Sequence, residues 1–188
     1  SYMFYDDNAL TDLSGLAGWQ TGNVTNFSYM FYHASALTDA TAISDWDTSS
    51  ATSMSHMFCY DSLLTDVDFQ DWDMRTSGDG VTRTSLDLTN FFYGTGVVRI
   101  TLGNQSCLDG SYLISLHPDS YGRWCLPGDT WFGNTSALLA RYPKAGNSLA
   151  DPLTYTWDGL HLGGRFENEN TWWVYTISSH LLTIGSDS

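Results

Sequence analysis

"SYMFYHASALTD", Ser28–Asp39, is written almost letter for letter 27 residues earlier as "SYMFYDDNALTD", Ser1–Asp12, and 27 residues later as "SHMFCYDSLLTD", Ser55–Asp66. A fixed period between about 20 and 50 residues marks units that stack on their own copies, because so short a unit cannot bury an apolar face alone. The columns around the quoted stretch agree. Met3, Met30 and Met57 coincide, as do Phe4, Phe31 and Phe58, and Leu10, Leu37 and Leu64, each Leu followed by Thr-Asp. Trp19 and Trp46 keep the spacing of 27, and Trp72 follows after 26. Leu13/Ala40/Val67, Leu16/Ile43/Phe69, Val24/Ala51 and Phe27/Met54 supply the other apolar positions. Stacking sets each residue roughly 4.8 Å from its copy across a parallel ladder, so these columns are expected to be core rows. Each copy has room for one short strand near "LTDLSGL" and one helical turn near "NFSYMFYH". Sugar stacking on Trp19, Trp46 and Trp72 is the alternative reading of the aromatics.

The third copy breaks the pattern. Trp19 to Phe31 and Trp46 to Phe58 are each 12 apart, but Trp72 to Phe92 is 20. The extra residues lie in "MRTSGDGVTRTS", Met74–Ser85, before "LDLTNFFYGTG" resumes at Leu86 and "VVRITLG" ends the array as a strand at Val97–Gly103. Insertions within repeats map to surface loops, and loops on rigid scaffolds gather binding residues. Arg75, Asp79 and Arg83 in this insertion are the candidate binding residues, for an acidic or glycan partner.

Residues 104–158 carry no repeat. "GRW" and "DTWFG" read as two short strands around a Pro127-Gly128 turn, "NTSALLARYP" as a short helix capped by Asn134 or Thr135 and stopped by Pro143, and "LTYTW" as a strand. This part is expected to cap the stack, whose open end would otherwise leave its strand edge unpaired. Residues 159–170 read as a linker and Thr171–Gly185 as a hairpin. The chain opens inside a repeat, which suggests a piece of a longer array whose first copy presents an apolar edge at Met3, Phe4 and Leu10.

Seven Lys and Arg against 21 Asp and Glu give a net charge of −14. That balance argues against a phosphate-neutralising nucleic-acid surface and against attachment to anionic membranes. No apolar run approaches the roughly 20 residues of a membrane span. Cys59, Cys107 and Cys125 show no metal spacing, and Cys107 and Cys125 are either bridged or buried thiols. No catalytic signature is present, the five His are scattered, and no cofactor or metal is expected. Asp12, Asp39 and Asp66 would form a column of like charges, expected to be solvated and turn-bonded rather than bridged by calcium.

"DWDTSSATSMSHMF", Asp45–Phe58, with the units Gly18–Asp39 and Leu10–Leu16, resembles the bacterial surface-protein repeats called BspA-like, a divergent leucine-rich-repeat relative, over about residues 1–103. The segments Tyr121–Pro143 and Leu153–Asp158 resemble the close of such arrays, although the family unit is usually slightly shorter. The resemblance implies an α/β fold: a short right-handed leucine-rich-repeat-like solenoid over 1–103, a small α+β cap over 104–158, then a linker and hairpin over 159–188. It also implies a non-enzymatic module of a secreted or wall-anchored bacterial surface protein. That module would mediate adhesion or contact with a host or bacterial surface protein or glycan, beside further repeats of the same polypeptide. A carbohydrate-binding module using exposed aromatics is the alternative, and a hydrolase with its site in the cap comes third.

Overall fold

The computed structural model describes residues 1–78, 80–81, 83–113, 124–127, 133–147 and 152–157, and the backbone alone at 130–132, 161–165, 171–176 and 181–186. The three copies lie one upon the next in register. Every second amide along the quoted stretch donates to the copy that follows: Tyr29 to the Ser55 carbonyl at 3.0 Å, Phe31 to Met57 at 3.0 Å and His33 to Cys59 at 2.9 Å. Copy 1 does the same from Tyr2, Phe4 and Asp6 to Ser28, Met30 and Tyr32.

This turn bends the chain through two left-handed residues in each copy. They are Tyr2 and Asp6, Tyr29 and His33, then His56 and Tyr60, all with φ between 57° and 69°; Asn90 and Gly94 follow where the pattern resumes. A side chain in that region costs of order 1–3 kcal/mol unless its surroundings over-determine it. The hydrogen bonds between copies do so here. Asn26 opens the turn at copy 2, its Oδ1 accepting from the Ser28 amide at 2.8 Å; Asp87 does the same for Thr89 at 3.0 Å.

Inside, like packs on like. Phe4, Phe31 and Phe58 stack with centroids 5.5 Å apart at each step, and Trp19, Trp46 and Trp72 stack at 6.1 and 6.4 Å. Each inner indole also donates to the preceding copy: Trp46 Nε1 to the Leu16 carbonyl and Trp72 Nε1 to Ile43, both at 2.9 Å. Trp46 and Trp72 are fully buried, which removes them as sugar platforms, whereas Trp19 is 37% exposed. In copy 1 Met3 is exposed and Phe4 and Leu10 are half-buried.

Strands arise only later. β1 (Asp66–Phe69) and β2 (Arg99–Leu102) pair in parallel; α1 spans Thr135–Arg141; β3 (Trp124–Leu126), β4 (Thr130–Gly133) and β5 (Leu153–Trp157) complete a five-stranded sheet of order β1-β2-β5-β3-β4. The pairings beyond β1–β2 are antiparallel. The leucine-rich-repeat-like solenoid with a separate cap is therefore corrected. It requires a strand in each coil, but copies 1 and 2 have 3-10 turns at Ser14–Leu16 and Thr41–Ile43 instead. Their Ser-Gly and Thr-Ala residues give the pleat no large side chain, and Asp12 and Asp39 accept from the amides two residues on, of Ser14 at 2.8 Å and Thr41 at 2.7 Å, which starts a turn. Val67 and Phe69 in copy 3 favour the strand. The non-repeated part is continuous with the array: β5 pairs along β2, the array's last strand, so the two share one mixed sheet. Gly103 marks the close approach of the two parts: a Cβ there would sit 1.9 Å from the Gln70 carbonyl oxygen.

Further along, β6 (His161–Arg165), β7 (Thr171–Thr176) and β8 (Leu181–Ser186) form a three-stranded antiparallel sheet. The stretch read as a linker thus contains β6, which pairs with β7 from His161 opposite Thr176 to Arg165 opposite Trp172. The three cysteines are buried and none is in a disulfide.

One buried acid sets a pH dependence. Asp61 stands in the column of Asp7 and Ala34 and is fully buried; its Oδ1 accepts from the Ala34 amide at 2.7 Å, and its Oδ2 has no hydrogen-bond partner. Burial pushes this carboxyl up from the usual 3.8 to about 8, against the smaller opposing effect of the Ala34 hydrogen bond. Between those two values the native state holds a proton that the unfolded chain has lost. The contribution of Asp61 to stability therefore falls as pH rises through that window and levels off above it. Asp61→Asn keeps the acceptor and cannot ionise. Its urea midpoint should gain on the parent's between about pH 5 and pH 8.5, and a constant offset would contradict the assignment.

Candidate functional site: an exposed tyrosine ribbon

The turn that buries Phe and Met aims its tyrosines outward. Tyr2 and Tyr29 stack at 4.8 Å and 5°, and His56 continues the row on Tyr29 at 4.5 Å and 6°. Beside it Tyr5 stacks on Tyr32 at 4.8 Å and 2°, and Tyr29 and Tyr32 join the two rows at 5.5 Å. In copy 3 this second row is interrupted, because the buried Cys59 stands where copies 1 and 2 have Tyr5 and Tyr32. Tyr60, next in the chain and left-handed, fills the gap edge-on between Tyr32 at 5.6 Å and Tyr93 at 5.3 Å. Tyr93 meets Tyr112 at 4.9 Å. The result is a continuous surface ribbon of tyrosine rings, with Tyr2 56%, Tyr5 46% and Tyr60 44% exposed.

Its rings are fixed by one another and by the hydrogen-bonded backbone beneath. Burial first, then neighbouring thiol and phenol groups, raises the Tyr32 hydroxyl above its usual range, and the nearby Tyr93 does so for Tyr60, so both stay protonated donors at neutral pH. His33 Nδ1 lies 2.6 Å from Asp6 Oδ1 at the ribbon's edge, and that contact, followed by Asn8, holds the Asp6 carboxyl below the usual range. Rigid rings with a polar rim offer large contact area at little entropic cost.

The insertion residues do something else. Arg83 is buried: Nε donates to the Arg75 carbonyl at 2.7 Å, Nη1 to the Thr48 and Ser49 carbonyls at 2.8 and 2.9 Å, and Nη2 to the Asp73 carbonyl and carboxylate. Arg75 grips Asp73 with Nε at 3.1 Å and Nη2 at 2.9 Å. Both guanidinium groups hold the chain's own loop, with 5% of the Arg83 side chain and 15% of the Arg75 side chain exposed. Asp79 lies outside the described residues.

The acid column is similarly occupied. Asp12 and Asp39 serve turn amides, and Asp66 Oδ1 accepts from Arg99 Nη1 at 2.7 Å. Among the described residues no group of three or more His, Cys, Asp or Glu is placed to hold a metal, and no helix is long and apolar enough to cross a membrane.

Residues 1–82 match the family model described as "Mycoplasma protein of unknown function, DUF285". The match covers all three copies of the quoted stretch, including Tyr2, Tyr5, Tyr29, Tyr32 and Tyr60, and stops short of the non-repeated part. It likens this portion of the chain to a bacterial family, and its description does not name the BspA-like proteins. No curated protein and no solved structure matches the chain.

The ribbon carries a sequence signal that the apolar columns masked. Tyr2/Tyr29/His56 and Tyr5/Tyr32/Cys59 are repeat columns too, but they change chemical class from copy to copy. The Met3, Phe4 and Leu10 columns stay invariant through all three copies.

Proposed function

We propose that this chain is a non-catalytic contact module of a bacterial surface protein, and that it binds another protein through the tyrosine ribbon. The observation that carries the reading is the ribbon itself. Exposed tyrosines in direct mutual contact, on a backbone fixed by hydrogen bonds between copies, form the kind of patch that a solitary surface has no packing reason to keep. Tyr is also enriched where proteins meet. The match of residues 1–82 to a Mycoplasma family supports a bacterial source. The surface location rests on the resemblance of the repeats and on an acidic, nearly Lys-free composition, which keeps a protein soluble outside the cell. Carbohydrate binding is the second reading, favoured by the same exposed rings.

The test is a binding screen of the chain against extracellular-matrix proteins and a glycan array, run in parallel with Tyr5→Ala/Tyr60→Ala. These two residues are among the most exposed in the ribbon, so the melting temperature should hold. A protein ligand retained by the parent and lost by the variant is the expected result. Ligands bound equally by both would place the site elsewhere.

A further inference from the structure

From Ser1 to Trp72 the chain carries ten Asp and not one Lys, Arg or Glu. Asp6, Asp12, Asp39, Asp45, Asp47 and Asp71 among them are exposed. The ribbon runs through this stretch from Tyr2 to Tyr60, and the stretch's only basic side chains are the imidazoles of His33 and His56. Tyrosine faces carry negative π density that attracts ammonium and guanidinium groups, and an all-acidic surround adds a long-range field of the same sense. A neutral glycan would gain nothing from that field, and an acidic one would be repelled. A second copy of this chain would bring its own ten Asp of residues 1–72 against these.

We infer that the partner docking on the ribbon is a Lys- and Arg-rich protein segment, its cationic side chains laid on the faces of Tyr2, Tyr5 and Tyr60. This rests on the ribbon being the contact surface and adds the partner's chemistry. Electrostatics brings the segment in and sets the salt dependence; the rings hold it by cation–π contact. Specificity against glycans then follows from charge and not from shape.

The experiment titrates the whole chain with a twelve-residue peptide alternating Lys and Arg with Gly, its counterpart with Gln in place of Lys and Arg, and a neutral oligosaccharide. Each titration is followed by calorimetry at about 20 and about 300 mM NaCl. The cationic peptide alone should bind, several-fold more weakly at the higher salt. Tyr5→Phe/Tyr60→Phe keeps the π faces and should stay within about twofold of the parent. Tyr5→Leu/Tyr60→Leu keeps apolar area without the π faces and should lose roughly tenfold. No binding of the cationic peptide, equal binding of the Gln peptide, or self-association in its place overturns the inference. Oligosaccharide binding that the Leu variant loses would overturn the cationic partner and leave the ribbon as the contact surface. Peptide binding that the Leu variant keeps would remove both.

Discussion

Trp46→Ala should destabilise the protein by about 3–5 kcal/mol, the cost of removing a large buried aromatic and leaving its cavity. Trp46 is fully buried between Trp19 and Trp72, each ring within 6.4 Å and nearly parallel. Truncation removes two stacking partners at once. It also removes the Nε1 hydrogen bond to the Leu16 carbonyl at 2.9 Å, at a further cost of about 1 kcal/mol, while that carbonyl still accepts from the Trp19 amide at 3.1 Å. Neighbouring copies cannot close the gap, because their own spacing is fixed by the ladder of amide bonds from Tyr29, Phe31 and His33. The informative control is Trp19→Ala: with one ring neighbour in its row and 37% exposure, it should cost a small fraction of that. Equilibrium urea denaturation of the two variants decides. Equal losses would mean that the indole row does not act as a stack.

The second large effect belongs to Arg83. Its guanidinium satisfies the carbonyls of Thr48, Ser49, Asp73 and Arg75 and pairs with the Asp73 carboxylate, with 5% of its side chain exposed. Asp73 keeps its partner Arg75, so the loss in Arg83→Ala lies in the buried guanidinium bonds to main-chain carbonyls, each bond to a charged group being worth about 1.5–3 kcal/mol. Arg83→Ala should therefore lower the denaturation midpoint clearly. Arg83→Lys should recover only part of the loss, because an ammonium lacks the planar fork that reaches four backbone oxygens at once. An Arg83→Ala variant of parental stability would return Arg83 to the role of a surface ligand.

The apolar rows were legible because a position that packs on its own copy must keep the same chemistry in every copy. Phe4, Phe31 and Phe58 show it, and so do Trp46 and Trp72. The non-repeated helix was also legible. Asn134 sits as its N-cap, with Oδ1 accepting from the Ala137 amide at 2.9 Å, and Tyr142 ends it one residue before the Pro143 stop signal. What escaped has a common cause in long-range backbone geometry. Nothing local to Leu153–Trp157 says that this strand inserts beside β2, with Ile100 opposite Tyr155. Nothing local to Arg83 says that it meets main-chain carbonyls 34 and 35 residues away, since a carbonyl has no sequence signature. The tyrosines were hidden differently: aromatic columns read as core by default, and only the side of the turn they leave from exposes them.

The tyrosine ribbon requires residues 1–54, which hold two 3-10 turns and no strand or longer helix, to form an ordered scaffold. Native-state hydrogen exchange measures this directly. The amides of Phe31 and His33, which donate across copies at 3.0 and 2.9 Å, should exchange only by global unfolding. They should be as slow as the most protected amides of the β1–β2 ladder. Fast local exchange at Phe31 and His33, beside a protected β1–β2 ladder, would show that the copies do not hold one another and that the tyrosine ribbon has no rigid base.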